Sequence, residues 1–368
     1  MMSGGKMHQD RKLNEKNEYE MERFTMARKK EEVLMETKSG VNAPEREKSA
    51  IDLLLESCTN KVFAIDCGKN NMKVIHNNKA YIYSNKIDTK FGDSLNDLTW
   101  NVEYKGEQYY VGDGATGSDL DEGKASLLHR VQALTAIAHY LNPEEKNDDI
   151  VLVYGESITF YFNEENKKDI VKGLEGKHSM IIDDVEYNFE IKKVHILPEG
   201  YGYIINNLEE CLRNKYYIID FGGRTINFLT VNNGSPVEKS SYSSEMGMYD
   251  LVAKCVTSIK QAGLGEKEDN NVECYIKYGT SQEIQDVIDA TLLEHLDDFD
   301  KYMRKRKIDI HNLVKSDKVV WIGGGAQKFR NLIMKHYNDR VIVPEKALLS
   351  NVQGFYVYGL TKFGRMEF

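Results

Sequence analysis

The sequence predicts an α/β fold in two domains that enclose a central cleft. One observation is an arrangement that occurs twice, in VFAIDCGKNNMKVI at 62–75 and in YYIIDFGGRTINFLTV at 216–231. In each copy an apolar run leads to an aspartate, a glycine follows two residues later, and an alternating run leads away. A second observation is the succession of hairpins, helix and strand, which is typical of a mixed sheet. A third is the length, because 368 residues exceed one ordinary core.

The first half begins as strands at Lys61. KVFAIDCG, MKVIHNN and KAYIYSNKI are bounded by turn residues, and NVEYKGEQYYVGDGA predicts a further hairpin. KASLLHRVQALTAIAHYLN carries apolar residues at helical spacing, and DDIVLVYGES is a buried type of strand. NKKDIVKGLEGKHSMII then predicts a short helix and a turn, and VEYNFEIKKVHILPEG predicts two strands that end at Pro198.

The second half restarts with the second Asp-Gly turn. SSEMGMYDLVAKCVTSIKQ predicts a helix that opens near Ser244, and a polar loop, GLGEKEDNN, separates it from a long helical region, EIQDVIDATLLEHLDDFDKYMRKRK. DKVVWIGGGAQKFRNLIMKHY predicts a strand, three glycines and a helix. LLSNVQGFYVYGLTKF predicts a terminal helix that folds back onto the first domain.

These elements predict a duplicated α/β domain with insertions in each copy. Residues 1–60 are rich in Glu, Lys, Arg, Asn and Met and predict a charged extension, either disordered or helical. Residues 61–200 form the predicted domain I, which a C-terminal helix at 350–368 completes. Residues 201–349 form the predicted domain II.

Composition excludes several classes of protein. A formal net charge of -9 argues against a surface for nonspecific DNA binding, which needs clustered Lys and Arg. The five cysteines are scattered without C-x-x-C pairs, which indicates reduced thiols and neither a disulfide framework nor a zinc site. No apolar run approaches the length of a membrane span, and the N-terminus is unlike a signal peptide. We therefore expect a cytoplasmic protein without membrane contact.

The two Asp-Gly turns predict a phosphate and magnesium site. A glycine-containing turn leaves backbone N–H groups free to face a phosphate, and the adjacent aspartate can hold a hydrated magnesium ion. A single such turn is commonly only a hairpin, whereas two copies in strand context favour phosphate binding. The predicted binding residues of the first turn are Asp66, Gly68, Lys69, Asn70, Asn71 and Lys73. Those of the second are Asp220, Gly222, Gly223, Arg224 and Thr225.

Two further motifs extend the predicted site. The glycines Gly323, Gly324 and Gly325 follow a buried strand and precede a helix, which lets a flat base or ribose lie against bare backbone. A flexible joint is the simpler interpretation of such a run. Glu199 stands at a Pro-Glu-Gly turn, where a carboxylate can orient or deprotonate an attacking water; a solvated loop residue is its plainer interpretation. There is no G-x-x-x-x-G-K-[ST] motif, so this is not a P-loop protein.

Together these motifs resemble those of the actin-like ATPases. VFAIDCGKNNMKVI is similar to their first phosphate motif, ILPEGYG to a connecting segment, YIIDFGGRTINF to their second phosphate motif, VVWIGGGAQKF to their adenosine motif, and NVQGFYVYGL to a second connecting helix. All five occur in the family's order over about Lys61 to Phe368. Within the superfamily the chain most resembles the bacterial plasmid-segregation actins, the ParM/StbA group.

The resemblance implies a duplicated ribonuclease-H-like, two-domain actin fold with ATP, or GTP as an open alternative, and Mg²⁺ in the cleft. It implies that Asp66 and Asp220 hold magnesium through water, that Glu199 and Asp220 are catalytic, and that the glycines after Trp321 contact adenosine. It also implies a homopolymeric filament in which hydrolysis weakens subunit contacts. Asn227 departs from the family, since many relatives have Asp there, and Arg224 stands where relatives have a small or polar residue.

The leading hypothesis is an ATPase filament that moves plasmid DNA through a centromere-binding adaptor, without direct specific DNA binding. Because fold does not fix function, a small-molecule kinase or phosphatase of the same superfold stays open, as does another bacterial cytoskeletal actin. A chaperone-type ATPase is disfavoured, because no substrate-binding domain follows Phe368. A nonhydrolytic scaffold is a further alternative. The basic run from Lys301 to Lys307 is a candidate contact surface, although a solvated helix face is its simpler interpretation.

Overall fold

The computed structural model describes residues 56–92, 98–117 and 123–365. These residues belong to the unit Ser49–Phe368. Most of the predicted extension, residues 1–55, lies outside the described residues. Its last two residues are held by the fold, because the backbone N–H of Thr59 donates to the Gly364 carbonyl at 2.8 Å and the Asn60 amide donates to the Phe363 carbonyl at 2.8 Å.

The first half of the chain builds a nine-stranded mixed sheet in the order β3-β2-β1-β7-β9-β8-β5-β6-β4. In its centre β1 and β9 run parallel to β7, all seven residues of which are buried, as expected of an interior parallel strand. The strands are β1 (Lys61–Cys67), β2 (Asn71–His76), β3 (Lys79–Ser84), β4 (Ile87–Asp88), β5 (Thr99–Tyr104), β6 (Glu107–Gly112), β7 (Ile150–Glu156), β8 (Gly176–Ile182) and β9 (Val185–Pro198).

The second half builds a five-stranded sheet in the order β12-β11-β10-β14, with β13 also paired to β11. Its centre repeats the first sheet: β10 pairs with β11 as an antiparallel hairpin and with β14 in parallel. The strands are β10 (Lys215–Phe221), β11 (Ile226–Asn232), β12 (Ser235–Pro236), β13 (Tyr242–Ser244) and β14 (Lys318–Ile322).

Helices cover the faces of both sheets. Side-chain caps set several of their starts: Ser126 accepts from the His129 N–H, Asn163 from Glu165 and Asn166, and Asp309 from Asn312. The helices of the described residues are α1 (Leu127–Ala138), α2 (Ile158–Tyr161), α3 (Glu164–Leu174), α4 (Tyr201–Asn206), α5 (Leu208–Cys211), α6 (Met248–Gln261), α7 (Asp269–Tyr278), α8 (Gln282–Lys305), α9 (Ile310–Ser316), α10 (Gly323–Lys328), α11 (Arg330–His336) and α12 (Ser350–Phe363). Short 3₁₀ turns lie at Glu238–Ser240 and Ala347–Leu349. Within these residues, no helix combines the length and the apolar character needed to cross a bilayer.

The last helix, α12, packs on the first sheet. Val352 and Phe355 are fully buried against Val62 and Ala64 of β1 and Val153 of β7. Full burial of an aromatic side chain such as Phe355 stabilises the fold by about 1.5–3 kcal/mol. The C-terminal segment therefore covers a face of the sheet that the first half of the chain builds.

Glycines let α12 cross α4 at backbone contact. A Cβ on Gly202 would lie 2.5 Å from the Ser350 carbonyl oxygen, and one on Gly354 would lie 2.5 Å from the Gly202 carbonyl carbon. Any larger residue would push the two helices apart. This crossing fixes the chain just after Glu199 relative to the start of α12.

Most predicted elements are confirmed, and several predictions were wrong. VEYNFEIKKVHILP forms one 14-residue strand, β9, and HSMII is part of strand β8 and not a turn. The helix expected from Ser244 begins at Met248, because residues 242–244 pair with β11 as β13. The predicted polar loop ends early, since α7 begins at Asp269. The three glycines after Trp321 form the first turn of α10, so the interpretation of this run as a flexible joint was wrong.

Candidate functional site

The two Asp-Gly turns have the same backbone. Asp66 ends β1 opposite Lys73 of β2, and Asp220 ends β10 opposite Asn227 of β11. In the first turn the Gly68 N–H donates to the Asn71 carbonyl at 3.1 Å, and in the second the Gly222 N–H donates to the Thr225 carbonyl at 3.0 Å. The repeat seen in the sequence is therefore a structural repeat, with Lys73 and Asn227 in equivalent positions.

The two turns face one another. A Cβ on Gly223 would lie 3.3 Å from the Asn70 side chain, so the second turn approaches the first closely. Tyr249, at the start of α6, joins them: its hydroxyl donates to Asn70 Oδ1, and its backbone N–H donates to the Gly223 carbonyl at 2.9 Å. The two turns are thus held against one another.

Asp66 lies in a cluster of buried charges. The Lys73 ammonium is 2.7 Å from Asp66 Oδ2, and the Lys124 ammonium is 3.8 Å from Asp66 Oδ1. Burial alone would raise the pKa of Asp66, but Lys73 and Lys124 hold that pKa below its usual value. Burial likewise opposes the charge of Lys124, while Glu199 and Asp66 raise the pKa of Lys124. Asp66 and Lys124 are therefore both charged at neutral pH.

Glu199 is oriented from both sides. Its backbone N–H donates to the Glu156 carbonyl at 2.8 Å, which continues the β7–β9 pairing past the end of β9. Lys124 donates to Glu199 Oε1 at 2.6 Å, and Asn227 donates to Oε2 at 2.6 Å. Ser243 in turn donates to Asn227 Oδ1 at 2.6 Å, which fixes the amide with its donor toward Glu199. The carboxylate is held by Lys124 and Asn227 and is not a freely solvated loop residue.

Asp220 has a different environment. Asn351 of α12 donates to Asp220 Oδ2 at 2.6 Å, and the Gly200 N–H donates to Asn351 Oδ1 at 2.8 Å. Burial, followed by the negative charges of Glu199 and Asp66, raises the pKa of Asp220 to about 7. This carboxyl group therefore titrates near neutral pH.

The glycines after Trp321 pack against the second turn. Gly323 has φ +91°, and a Cβ there would lie 2.7 Å from the Phe221 carbonyl oxygen as well as against Asp220 Oδ1. A Cβ on Gly325 would lie 2.6 Å from the Phe221 ring, whereas Gly324 has only Leu348 nearby, at 3.4 Å. Two of the three glycines are thus required by the fold itself, and only Gly324 has room on its outer side.

The remaining predicted residues lie at the edges of the site. The Arg224 guanidinium is 3.5 Å from Glu245, and the Lys69 ammonium is 3.3 Å from His129 Nε2. Thr225 Oγ1 accepts from the Asn227 amide at 3.3 Å. The central group is therefore Asp66, Lys73, Glu199 and Asp220, and the other positions surround it.

Sequence reasoning missed three residues of this site. Lys124 links Asp66 to Glu199 but stands in a loop before α1, where nothing in the pattern marks it. Asn351 carried a signal, because it is a polar residue inside an apolar helix and is 4% exposed. Glu156 is fully buried at the end of β7, accepts from the Lys124 N–H at 3.0 Å, and has a pKa that burial raises.

Residues 64–202 match the family model described as "Actin like proteins N terminal domain". Over these residues the chain is similar to actin-like proteins. Several solved structures match this chain over nearly the whole of their own length. The Alp12 filament structure matches with a TM-score of 0.63, 24% identity, and coverage of 82% of this chain and 99% of that one. The archaeal actin homolog Ta0583 matches with a TM-score of 0.69, 16% identity, and coverage of 82% and 100%.

A third similar structure is a 15-stranded ParM filament from Clostridium botulinum, with a TM-score of 0.61, 17% identity, and coverage of 82% and 99%. A sequence comparison with curated proteins gives no match. At these identities the solved structures establish the fold alone. The actin-like resemblance and the two-domain α/β fold expected from the sequence are both confirmed.

Proposed function

We propose that this actin-like protein binds ATP with Mg²⁺ between its two Asp-Gly turns, polymerises, and hydrolyses the nucleotide in the polymer. The observation that carries the proposal is the convergence of Asp66, Lys73, Lys124, Glu199 and Asp220 at the facing turns. One similar structure, of the archaeal homolog Ta0583, is described as a complex with ADP. That description supports a nucleotide here.

Phosphate binding in this proposal uses the turns and the lysines. The Gly68 and Gly222 N–H groups close the two turns, which would bring the backbone around Gly223 to the phosphates, and the side chains of Lys73 and Lys124 would supply positive charge. Both lysines are buried and paired with carboxylates. They are therefore positioned before a nucleotide arrives, which lowers the entropy cost of binding.

The carboxyl groups fit a magnesium ion. Mg²⁺ prefers carboxylate oxygens and retained waters, and Asp66 and Asp220 offer such oxygens beside the proposed phosphate site. The pKa of Asp220 is about 7 because the carboxyl group is buried and lies near the carboxylates of Glu199 and Asp66. A divalent cation would relieve the repulsion among these three groups. When bound, the ion would neutralise charge on the phosphates. Asp66 and Asp220 would hold it through water.

Glu199 is the proposed positioning group for the attacking water. Both of its oxygens accept hydrogen bonds, at 2.6 Å from Lys124 and 2.6 Å from Asn227, so its rotamer is fixed. Phosphoryl transfer depends chiefly on such positioning and on charge neutralisation. Asp220 assists from the other side of the cleft as a catalytic carboxylate.

Self-association is proposed by analogy with similar structures. Three of them are described as filaments: the Alp12 filament, the 15-stranded ParM filament, and AlfA from a B. subtilis plasmid, the last at a TM-score of 0.56 and 17% identity. We propose that this chain forms a cytoplasmic homopolymer that segregates plasmid DNA. Because the net charge is -9, DNA would be reached through a basic centromere-binding adaptor and not directly.

Sedimentation with ATP, with ADP and without nucleotide tests this function. We expect the wild type to pellet with ATP and Mg²⁺ and then to release phosphate and disassemble. The variant Glu199→Ala should pellet with ATP but release phosphate at least about 100-fold more slowly. Glu165→Ala, an exposed change on α3, is the matched control and should behave as wild type.

Other outcomes would overturn parts of the proposal. No nucleotide-dependent pellet at any salt or protein concentration would remove the filament and favour a kinase of the same superfold. An unchanged rate of phosphate release in Glu199→Ala would remove Glu199 from the mechanism.

A further inference from the structure

A second cluster of ligating groups lies on helices of the second half of the chain and shares no residue with the two turns. Asp300 of α8, His311 of α9 and His336 at the end of α11 place one ligand atom each within 4.8 Å of one another. The three residues come from three different helices. The cluster therefore joins elements that are separate along the chain.

Asp300 is the centre of this cluster and is 2% exposed. Its Oδ1 accepts from the Tyr337 hydroxyl at 2.9 Å, which sets the plane of the carboxylate. Its Oδ2 faces two imidazoles, with His311 Nε2 at 2.9 Å and His336 Nε2 at 3.2 Å. One oxygen is thus fixed by the protein, and the other points at two nitrogen ligands.

These spacings suit a tetrahedral metal ion. Zn–N and Zn–O bonds are about 2.0–2.2 Å long, so neighbouring ligand atoms around zinc lie about 3.3 Å apart. The observed separations of 2.9 Å and 3.2 Å are close to this value. A small movement of the His311 side chain, 37% exposed, would open the first of them.

The charge of the cluster also suits a cation. A carboxylate buried this deeply needs positive charge nearby, which either two protonated imidazoles or one metal ion can supply. Imidazole nitrogen with carboxylate oxygen is a donor set that zinc accepts, whereas Mg²⁺ prefers oxygen alone. The Tyr337 hydroxyl, which donates to Asp300 Oδ1, would orient the carboxylate, as hydrogen-bond partners of metal-binding carboxylates commonly do.

A fourth ligand is within reach. Asp297 precedes Asp300 by three residues on α8 and so lies on the same helix face. Its Oδ1 is 3.9 Å from His336 Nε2, and its side chain is 61% exposed. Asp297 or a water can complete the coordination, and the exposed side gives the ion an entry path.

We propose that Asp300, His311 and His336 bind a divalent transition metal ion, zinc by preference, as a structural site that ties α8, α9 and α11 together. Tyr337 connects this site to the sheet, because its ring lies 5.6 Å from that of Trp321 in β14. The ion is distinct from the magnesium of the nucleotide cleft and does not depend on nucleotide.

Titration of metal-stripped protein with Zn²⁺ by calorimetry, in the presence of excess Mg²⁺, tests the site. We expect one zinc ion per chain and a zinc-dependent rise in the unfolding temperature. His311→Ala should weaken zinc binding at least 100-fold, because loss of an outer partner alone typically costs 10–100-fold. Asp297→Asn should have a smaller effect, of about tenfold or less.

Two controls make the result specific. Asp289→Asn removes an acidic group from the same helix at a position paired with Gln285, and it should leave zinc affinity within about twofold. Co²⁺ substitution gives a second readout, since a four-coordinate site with two imidazoles produces visible absorption that His311→Ala should abolish. Because His311 is partly exposed, circular dichroism should show that this variant is folded.

The proposal is overturned if the wild type binds no zinc. It is also overturned if His311→Ala, shown to be folded, binds zinc as tightly as the wild type. In either case the cluster is a hydrogen-bonded network of two imidazoles and one carboxylate.

Discussion

The two Asp-Gly turns share a backbone and differ in charge. Both close with the same glycine N–H to carbonyl bond, at 3.1 Å and 3.0 Å. The residue opposite the aspartate is Lys73 in the first turn and Asn227 in the second. The pKa of Asp66 is lowered, and that of Asp220 is raised to about 7. The two turns thus share their main chain and differ in the charges that surround their aspartates.

The neighbours outside each hairpin increase this difference. Asp66 gains a second ammonium from Lys124, whereas Asp220 gains the neutral amide of Asn351. The first turn is therefore rich in positive charge, as a phosphate site requires. The second has a carboxyl group that lacks a compensating lysine in its own hairpin and suits a divalent cation.

Replacing each aspartate in turn should produce the largest contrast. Asp66→Asn leaves the buried ammonium of Lys73 without its closest carboxylate and should cost about 3 kcal/mol of unfolding free energy or more. Asp220→Asn replaces a carboxyl group whose ionisation the fold opposes, and should leave stability at pH 7 unchanged or raise it. Urea denaturation of the nucleotide-free protein measures both values. Equal losses would show that the two turns are electrostatically alike.

The approach of α10 to the second turn gives the next largest effect. Gly323→Ala forces a side chain onto a backbone with φ +91° and against Phe221 and Asp220, and should cost about 2–3 kcal/mol. Gly324→Ala, one residue later with Leu348 at 3.4 Å, should change stability by less than about 0.5 kcal/mol. Thermal and urea unfolding compare the pair. Similar stability of both variants would contradict the close packing described here.

Asn227→Asp makes the second hairpin more acidic. It replaces the donor that holds Glu199 Oε2 at 2.6 Å with a carboxylate and should cost about 1.5 kcal/mol. Asn232→Asp, an exposed change at the end of the same strand, is its control and should be nearly neutral. Unfolding and phosphate release are both informative, because misplacing Glu199 should also slow hydrolysis. No change in either would mean that Asn227 does not orient Glu199.

The smallest expected effect is a pH dependence. Because the pKa of Asp220 rises from 3.8 to about 7 on folding, its stabilising contribution is complete at low pH and is lost as pH rises to about 7. The stability of wild type relative to Asp220→Asn should fall by about 1 kcal/mol between pH 6 and 7, within the limit of about 1.4 kcal/mol per pH unit. Asp66, whose pKa is lowered, contributes a constant amount across this window, because its stabilising contribution is lost only at lower pH. A flat difference in metal-free buffer would contradict the raised pKa.

Local pattern predicted the hairpins and their aspartates, because a strand, a tight turn and a returning strand are encoded within about 15 residues. It also indicated Glu199, whose place at the end of β9 follows from the strand alone. The same reasoning divided β9 into two strands, since the 14 residues of this strand alternate irregularly and hide their continuity.

Contacts made over long distances in the chain could not be predicted. Lys124 reaches Glu199 across 75 residues, and Asn351 reaches Asp220 across 131. Both contacts depend on the path of loops and on the crossing of α4 with α12, which no periodicity encodes. The helix expected at Ser244 failed for a related reason, because pairing with β11 outweighed local helix preference.

Magnesium-dependent ATP binding tests most directly whether the first turn binds phosphate and the second binds the ion. Calorimetry below the concentration of polymerisation should give one ATP per wild-type chain, bound at least tenfold more tightly with Mg²⁺ than in a chelator. Asp220→Asn should bind ATP as the wild type does in the chelator and gain nothing from Mg²⁺. If the variant gains as much from Mg²⁺ as the wild type, the second turn does not hold the ion, and the account of two unlike turns around one nucleotide is contradicted.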